Sequence, residues 1–303
     1  MTILTVLKVY QVDAFTTEKF RGNPAGVVLN GDNLTDQEMQ AIARELNNSE
    51  TAFLLSPDSP DHDVRTRYFT PKTEVPICGH ATIASQYVRA IENNLESCRV
   101  MNKINIGTLP IEINKLENDY TITMAQGDIE FSQYISGSNL EFLMNALRIT
   151  ENDLDERCPV QIVSTGRSKV LIGIKSRHVL DRIVPNLEAL KELSKAIDCT
   201  GYFLFTLHPE TETILSHGRM FAPISGIDED PVTGNAVAPL GAYLIKHKLV
   251  KHDNSMFSFK VEQGHAMGRS GVVDVSVLIK EGEPVEVSLG GSAVIVFETE
   301  IVL

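Results

Sequence analysis

Four cysteines in 303 residues, none spaced as C-x-x-C, offer little for a disulfide framework or a structural zinc site. Cys78, Cys98, Cys158 and Cys199 lie far apart, and a reducing cytoplasm is the expected compartment. Clustered positive charge is also missing. The formal net charge is −13 and no run of Lys and Arg stands out, so phosphate backbones and anionic membranes are unsuitable partners. No apolar run approaches membrane-spanning length. The opening "MTILTVLKVYQVDAF" has no basic region before a long apolar core, so it reads as a first strand and not a signal peptide. No G-x-G-x-x-G follows a strand, and no P-loop lysine pattern occurs. What is present is ordinary globular composition, 43% apolar and 22% charged, in a chain long enough for one large domain or two medium ones.

The chain repeats itself. "RYFTP" at 67–71 returns as "RMFAP" at 219–223, 152 residues on. "EVPICGHA" at 74–81 matches "EDPVTGNA" at 229–236, 155 residues on, pairing Glu74 with Glu229, Pro76 with Pro231 and Gly79 with Gly234. Upstream, "NLTDQEMQAIAREL" at 33–46 resembles "NLEALKELSKAI" at 186–197. Three matches in one order at nearly one offset indicate two copies of one module.

Each copy has the same grammar of strands around helices. Strands are expected at 9–15 and 25–29, across the turn-like "RGNP". Thr35 and Glu38 form a capping box for a helix with Met39, Ile42, Ala43 and Leu46 at helical spacing. Strands at 51–55 and 64–69 precede a second helix, which starts near His80 and buries a face of Ile83, Tyr87, Val88 and Ile91. Strands near 105–113 and 119–124 close the copy, and the polar 126–138 is the expected crossing point. The second copy predicts strands in "VQIVSTG", "KVLIGI", "YFLFTL" and "GRMFAP", a helix over 187–197, and a helix after Gly234 with a stripe of Val237, Leu240, Leu244 and Ile245. Pro239 suits a first turn, which sets the start of that helix near Asn235–Ala236. Strands at 257–262 and 272–279 and the closing "SAVIVFETEIV" follow. A sheet wrapped around each apolar helix gives an α+β pseudo-dimer, with the cleft between copies as the expected ligand site.

Gly79-His80-Ala81 and Gly234-Asn235-Ala236 are repeat equivalents, and each opens a helix. Free N–H groups and a positive dipole end there suit an anion. Each proton-moving candidate has a neutral counterpart: His80 faces Asn235, Asp230 faces Val75, and Glu50 faces the "CTGYF" stretch. Zinc is not expected, since Cys78 and His80 supply only two ligands. Nor is a Cys–His nucleophile, since near-adjacent positions at a helix start rarely let the ring reach the sulfur.

The run "VDAFT…FRGNPAGVVL", "NSETAFL", "RYFTP…EVPICGHAT", "EDPVTGNA" and "QGHAMGRSG" resembles the PhzF-like phenazine-biosynthesis family, in its YddE-type branch, across essentially the whole chain. The resemblance implies the diaminopimelate-epimerase fold: α+β, internally duplicated, each half a sheet or barrel around a central helix. It puts the halves at 1–127, completed by the strand 289–303, and at 128–288. Carried over by position, the catalytic residues are Glu50, His80 and Asp230. The substrate-binding residues are Asn23, Gly79, Ala81, Thr82, Gly234, Asn235 and Ala236. The implied activity is a cytoplasmic isomerase that shifts a proton on a small carboxylated metabolite without metal or organic cofactor, and a homodimer is allowed for. Two departures matter. Asn235 stands where the phenazine enzyme usually has serine, and Thr233 stands where epimerase relatives have their second cysteine. That leaves Cys78 a packing role. A catalytically silent acid-binding protein and a single-thiol racemase are the alternatives.

Overall fold

The computed structural model describes residues 6–207 and 213–303, so the first five residues of the expected opening strand lie outside the described residues. The chain divides into two compact units, Met1–Ala125 with Gly290–Leu303, and Gln126–Leu289.

The first unit contains β1 (Val6–Ala14), β2 (Asn23–Val28), α1 (Asp36–Leu46), β3 (Glu50–Leu55), β4 (Val64–Phe69), β5 (Glu74–Val75), α2 (Gly79–Glu92), β6 (Cys98–Ile104), β7 (Gly107–Lys115) and β8 (Tyr120–Ala125). The second contains β9 (Glu130–Tyr134), α3 (Gly137–Leu147), β10 (Gln161–Ser164), β11 (Lys169–Gly173), α4 (Arg177–Arg182), α5 (Leu187–Ile197), β12 (Tyr202–Thr206), β13 (Ser216–Ala222), β14 (Ile227–Asp230), α6 (Gly234–Lys246), β15 (Met256–Gln263) and β16 (Gly271–Lys280). β17 (Glu283–Gly291) leads out of it, and β18 (Ala293–Val302) returns to pair antiparallel with β1.

The two units repeat one sequence of pairings. In the first, β1–β2 is antiparallel, β2–β3 parallel, β3–β4 and β4–β5 antiparallel, β4–β6 parallel and β6–β7 antiparallel. In the second, β10–β11 is antiparallel, β11–β12 parallel, β12–β13 and β13–β14 antiparallel, β13–β15 parallel and β15–β16 antiparallel. Each parallel step needs a crossover. An outer helix supplies the first crossover in each unit, α1 or α5, and an inner helix supplies the second, α2 or α6. The outer helices are amphipathic. α1 lays Met39, Ile42 and Ala43 on Val9, Val28 and Phe53, while α5 lays Leu190, Leu193 and Ile197 on Val170, Ile172 and Tyr202.

Three expectations need correction. The inner helices are not striped. His80 to Val88 are all buried in α2, whereas Ile91, assigned to its apolar face, is 37% exposed. A helix surrounded by strands has no solvent side until its last turn. In α6 the helix begins at Gly234, one residue before Asn235 and close to the expected start, so Pro239 falls in the second turn and not the first. Having no N–H, Pro239 leaves the Asn235 carbonyl without its usual donor four residues on. The stretch 126–138 is more than a crossing: β9 pairs with β10, and α3 starts at Gly137. No helix of the described residues is long and apolar enough to cross a membrane.

Candidate active site

Glu50 owes its place to a tightly held turn. α1 ends at Asn47, whose left-handed backbone lets its N–H bond to the Ala43 carbonyl. The side-chain amides of Asn48 and Gln11 then exchange hydrogen bonds of 3.0 and 2.8 Å. Ser49 follows, and Glu50 opens β3 opposite Ala25 of β2. The next pair is Gly26 and Thr51, where a Cβ on Gly26 would meet Thr51 Oγ1 at 2.7 Å and Leu46 Cδ1 at 2.8 Å. That glycine allows the close strand packing beside Glu50. Asn23, buried at the start of β2, shares a face with Ala25.

His80 reaches Glu50 from α2. Its Nε2 lies 3.4 Å from Glu50 Oε2 and 3.2 Å from Ser49 Oγ. The His80 and Glu50 side chains are 8% and 16% exposed, shielded but not sealed. Cys78 joins them. As the extended residue before the helix it makes no side-chain cap, and its Sγ lies 3.5 Å from His80 Nδ1 and 4.0 Å from Nε2. The ring therefore does reach the sulfur, a contact expected to be rare for near-adjacent positions at a helix start. The extended N-cap backbone swings the sulfur over the first turn, where His80 stands. The ligand count was also short by one, because Glu50, Cys78 and His80 each bring a donor atom within 4.8 Å of the others.

The helix starts behave alike in both units. α2 and α6 have no side-chain cap and no acidic residue in the first turn, whereas α1 has the Thr35–Glu38 capping box and Asp36 and Glu38 in its first turn. Both inner helix starts thus lack the local side-chain cap and first-turn acid that complement a helix dipole. Thr82 N–H already bonds the Cys78 carbonyl at 3.0 Å, and Ala236 N–H bonds the Thr233 carbonyl at 3.0 Å. Among the described residues, the amides left without a backbone acceptor are then those of 79–81 and 234–235, one fewer in each turn than the motif suggests. The Thr82 hydroxyl is also committed, to the Cys78 carbonyl at 2.7 Å and to Tyr68 at 2.6 Å. Burial raises the Tyr68 phenol above its ordinary range, so it stays protonated. Gly79 is not explained by packing. Its φ is not positive, and a Cβ there would meet nothing within 4 Å.

In the second unit, Asp230 ends β14 and accepts a hydrogen bond from the Thr233 hydroxyl. Gln263, 1% exposed at the end of β15, clamps this loop. Its Oε1 accepts from Thr233 N–H at 3.1 Å, while its Nε2 donates to the Asp230 carbonyl at 2.7 Å and to Thr233 Oγ1 at 3.2 Å. The amide direction is fixed by the Thr233 N–H, so the Thr233 hydroxyl must donate onward to Asp230. Asn235 stands half-buried at the helix start. Sequence reasoning gave no role to Ser49, Thr233 or Gln263. Gln263 was within reach, since it opens the "QGHAMGRSG" motif just before Gly264, whose φ of 91° turns the chain.

A family model described as phenazine biosynthesis-like protein matches residues 12–299. The chain is 57% identical over 294 residues to an uncharacterized isomerase of Clostridium acetobutylicum, covering 97% of each chain. It is 47% identical over 294 residues to the uncharacterized isomerase YddE of Escherichia coli K12, again covering 97% of each. The crystal structure of a Bacillus anthracis phenazine biosynthesis protein of the PhzF family is similar at 34% identity with a TM-score of 0.88, covering 99% of this chain and all of that one.

Proposed function

The chain belongs to the phenazine biosynthesis-like protein family, with its duplicated diaminopimelate-epimerase-like fold, and is an isomerase of it; on that premise we propose that it relocates a proton, and with it a double bond, on a small carboxylated metabolite. Glu50 is the acid/base. The amides of Gly79, His80 and Ala81 hold the carboxylate or a developing oxyanion. His80 keeps the Glu50 carboxylate aimed, and Asp230 and Asn235 bind and orient substrate. Moving a proton requires a positioned acid/base and a place for negative charge, so no organic cofactor enters the scheme. The observation that carries this reading is the Glu50–His80 pair, 3.4 Å apart and mostly shielded, beside an uncapped helix start whose first glycine faces open space.

A screen of small cyclic and amino carboxylates by native mass spectrometry would find ligands. Incubating each hit in D₂O and following carbon-bound deuterium by NMR would then test proton transfer. Exchange that Glu50→Gln leaves unchanged would overturn the assignment. The single-thiol reading has one observation in its favour, the Cys78–His80 contact. It predicts that Cys78→Ala loses several orders of magnitude in exchange. With Glu50 as the acid/base, that loss stays within about tenfold, or about 1.4 kcal/mol of barrier.

A further inference from the structure

We propose that Glu50, Cys78 and His80 form a binding site for one thiophilic divalent cation of the zinc class. The three donors come from β3, the residue before α2 and the first turn of α2, so their backbones are already fixed by the fold. Tetrahedral zinc with bonds of about 2.0–2.3 Å separates its donors by about 3.3–3.6 Å. His80 Nε2 and Glu50 Oε2 are already 3.4 Å apart, and Cys78 Sγ is 4.0 Å from the same nitrogen. No pair of the three donors needs to close by much more than about 1 Å, a movement within reach of the Glu50 side-chain torsions. Three protein ligands leave a fourth position for water, the arrangement of open zinc sites.

Charge and softness point the same way. A thiolate, a carboxylate and a neutral imidazole sum to −2, so a divalent ion makes the shielded cluster neutral. The thiol gives up its proton to solvent on binding. Thiolate and imidazole select zinc, cobalt or copper over magnesium and calcium, which prefer all-oxygen shells. An ion held there would occupy both Glu50 and His80, so proton transfer at this site would stop while it stayed bound. The geometry alone supports the cation site, which stands or falls apart from the isomerase assignment and needs no substrate for its test.

Metal-free full-length protein carrying Cys98→Ser, which removes the exposed thiol, is titrated with Co²⁺. Expected are one equivalent bound, a thiolate-to-cobalt charge-transfer band in the near ultraviolet, and displacement by Zn²⁺ but not Mg²⁺. Loss of even an outer-shell partner costs metal affinity about 10–100-fold, so Cys78→Ser, His80→Asn and Glu50→Gln should each cost about that or more. Cys78→Ser should also abolish the band. Should that variant fail to fold, alkylation of Cys78 in the Cys98→Ser protein, read by peptide mass spectrometry, should be slowed by Zn²⁺ and not by Mg²⁺. Cobalt bound without the band, unchanged affinity in folded Cys78→Ser, or alkylation indifferent to Zn²⁺ would each overturn the proposal.

Discussion

The two units hold the same scaffold and spend it differently. In the first, Arg67 grips Glu74 through two bonds of 2.8 Å; in the second, Arg219 grips Glu229 through two bonds of 2.8 Å. Each guanidinium stacks on the phenylalanine two residues on, at 5.1 and 4.9 Å. Each ion pair ties the strand before the glycine turn to the strand leading into it. The turns themselves diverge: Cys78-Gly79-His80 faces Glu50, and Thr233-Gly234-Asn235 is clamped by Gln263 next to Asp230. Strand register extends the contrast. Phe69 faces Thr51 and Gly26 lies beyond it, while Phe221 faces Tyr202 and Val170 lies beyond it. Lys169 therefore stands where Ala25 does, and Gly201 where Glu50 does. One unit keeps an acid on the inner strand, and the other a base on its neighbour. A duplicated frame fixes where a helix starts, and single side chains then decide what that start can do.

The sharpest way to break this contrast is to neutralise the acids. Glu50→Gln should lower deuterium exchange by about 10²–10⁴-fold, the worth of one general acid/base. Asp230→Asn should act more mildly, because Thr233 and Gln263 hold that loop in place. Equal losses in the two variants would mean that Asp230 also carries the proton. Removing the shared arginines comes next. Arg219 also donates to the Leu180 and Ile183 carbonyls at 2.9 and 2.7 Å, and its side chain is 8% exposed. Arg219→Met, which strands Glu229, should cost about 3–5 kcal/mol in urea unfolding. Arg67 turns instead to the exposed Asp36, so Arg67→Met should cost about 1–3 kcal/mol. The reverse order would show that the carbonyl bonds and deeper burial of Arg219 do not set its cost.

Much of this was legible in the sequence. The repeat gave the matched strands and the paired helix starts, because Arg, Pro, Glu and Gly recur at nearly one spacing. The capping box at Thr35 and Glu38 was readable because it is local. β6 was not anticipated, since "CRVMNKI" alternates buried Val100, Asn102 and Ile104 with exposed Arg99 and half-buried Met101 and Lys103, so its apolar and polar residues do not alternate cleanly. Asn102 looks like a loop residue until the fold gives it Thr66 as a buried donor at 2.7 Å. The Cys78 contact was missed for a different reason. Spacing along a chain does not report the direction of a side chain on the extended residue before a helix. Gln263 was missed because its partners, 30 and 33 residues away, meet it only through strand β15.

Lys169 offers a pH test of the charge contrast. Buried with Nζ 2.9 Å from Thr200 Oγ1, it is pushed by desolvation from 10.5 down to about 7. A lysine whose folded pKa is depressed binds fewer protons folded than unfolded between those values. Stability must therefore rise with pH from about 7 to about 10.5 through this residue, and the full penalty applies below 7. Lys169→Met removes the penalty. At pH 6 it should be more stable than the parent by at most about 5 kcal/mol, with the gap closing towards pH 10. Urea melts at both pH values check this. A gap that is constant with pH would place the ammonium in contact with solvent.

The smallest effect separates a glycine kept by the fold from one kept for a ligand. In α6, a Cβ on Gly241 would meet Val277 Cγ2 at 2.8 Å and Val275 Cγ1 at 3.0 Å. Gly241→Ala crowds the Val275 and Val277 methyls of β16 and should destabilise by about 1–3 kcal/mol. In α2, Gly79 has an allowed backbone and nothing in the path of a side chain. Gly79→Ala only reduces the freedom of the unfolded chain, so it should stabilise by about 0.4–1 kcal/mol in the same melts. The new methyl would nonetheless stand over the free amides of the helix start, where the carboxylate is proposed to sit. Carboxylates found by the native mass-spectrometry screen should then bind at least about tenfold more weakly, a loss of about 1.4 kcal/mol, to a protein that is no less stable. A variant that is more stable and binds them equally well would show that the glycine turn of the first unit is a helix start and nothing more, and the proton chemistry would have to be sought around another anchor.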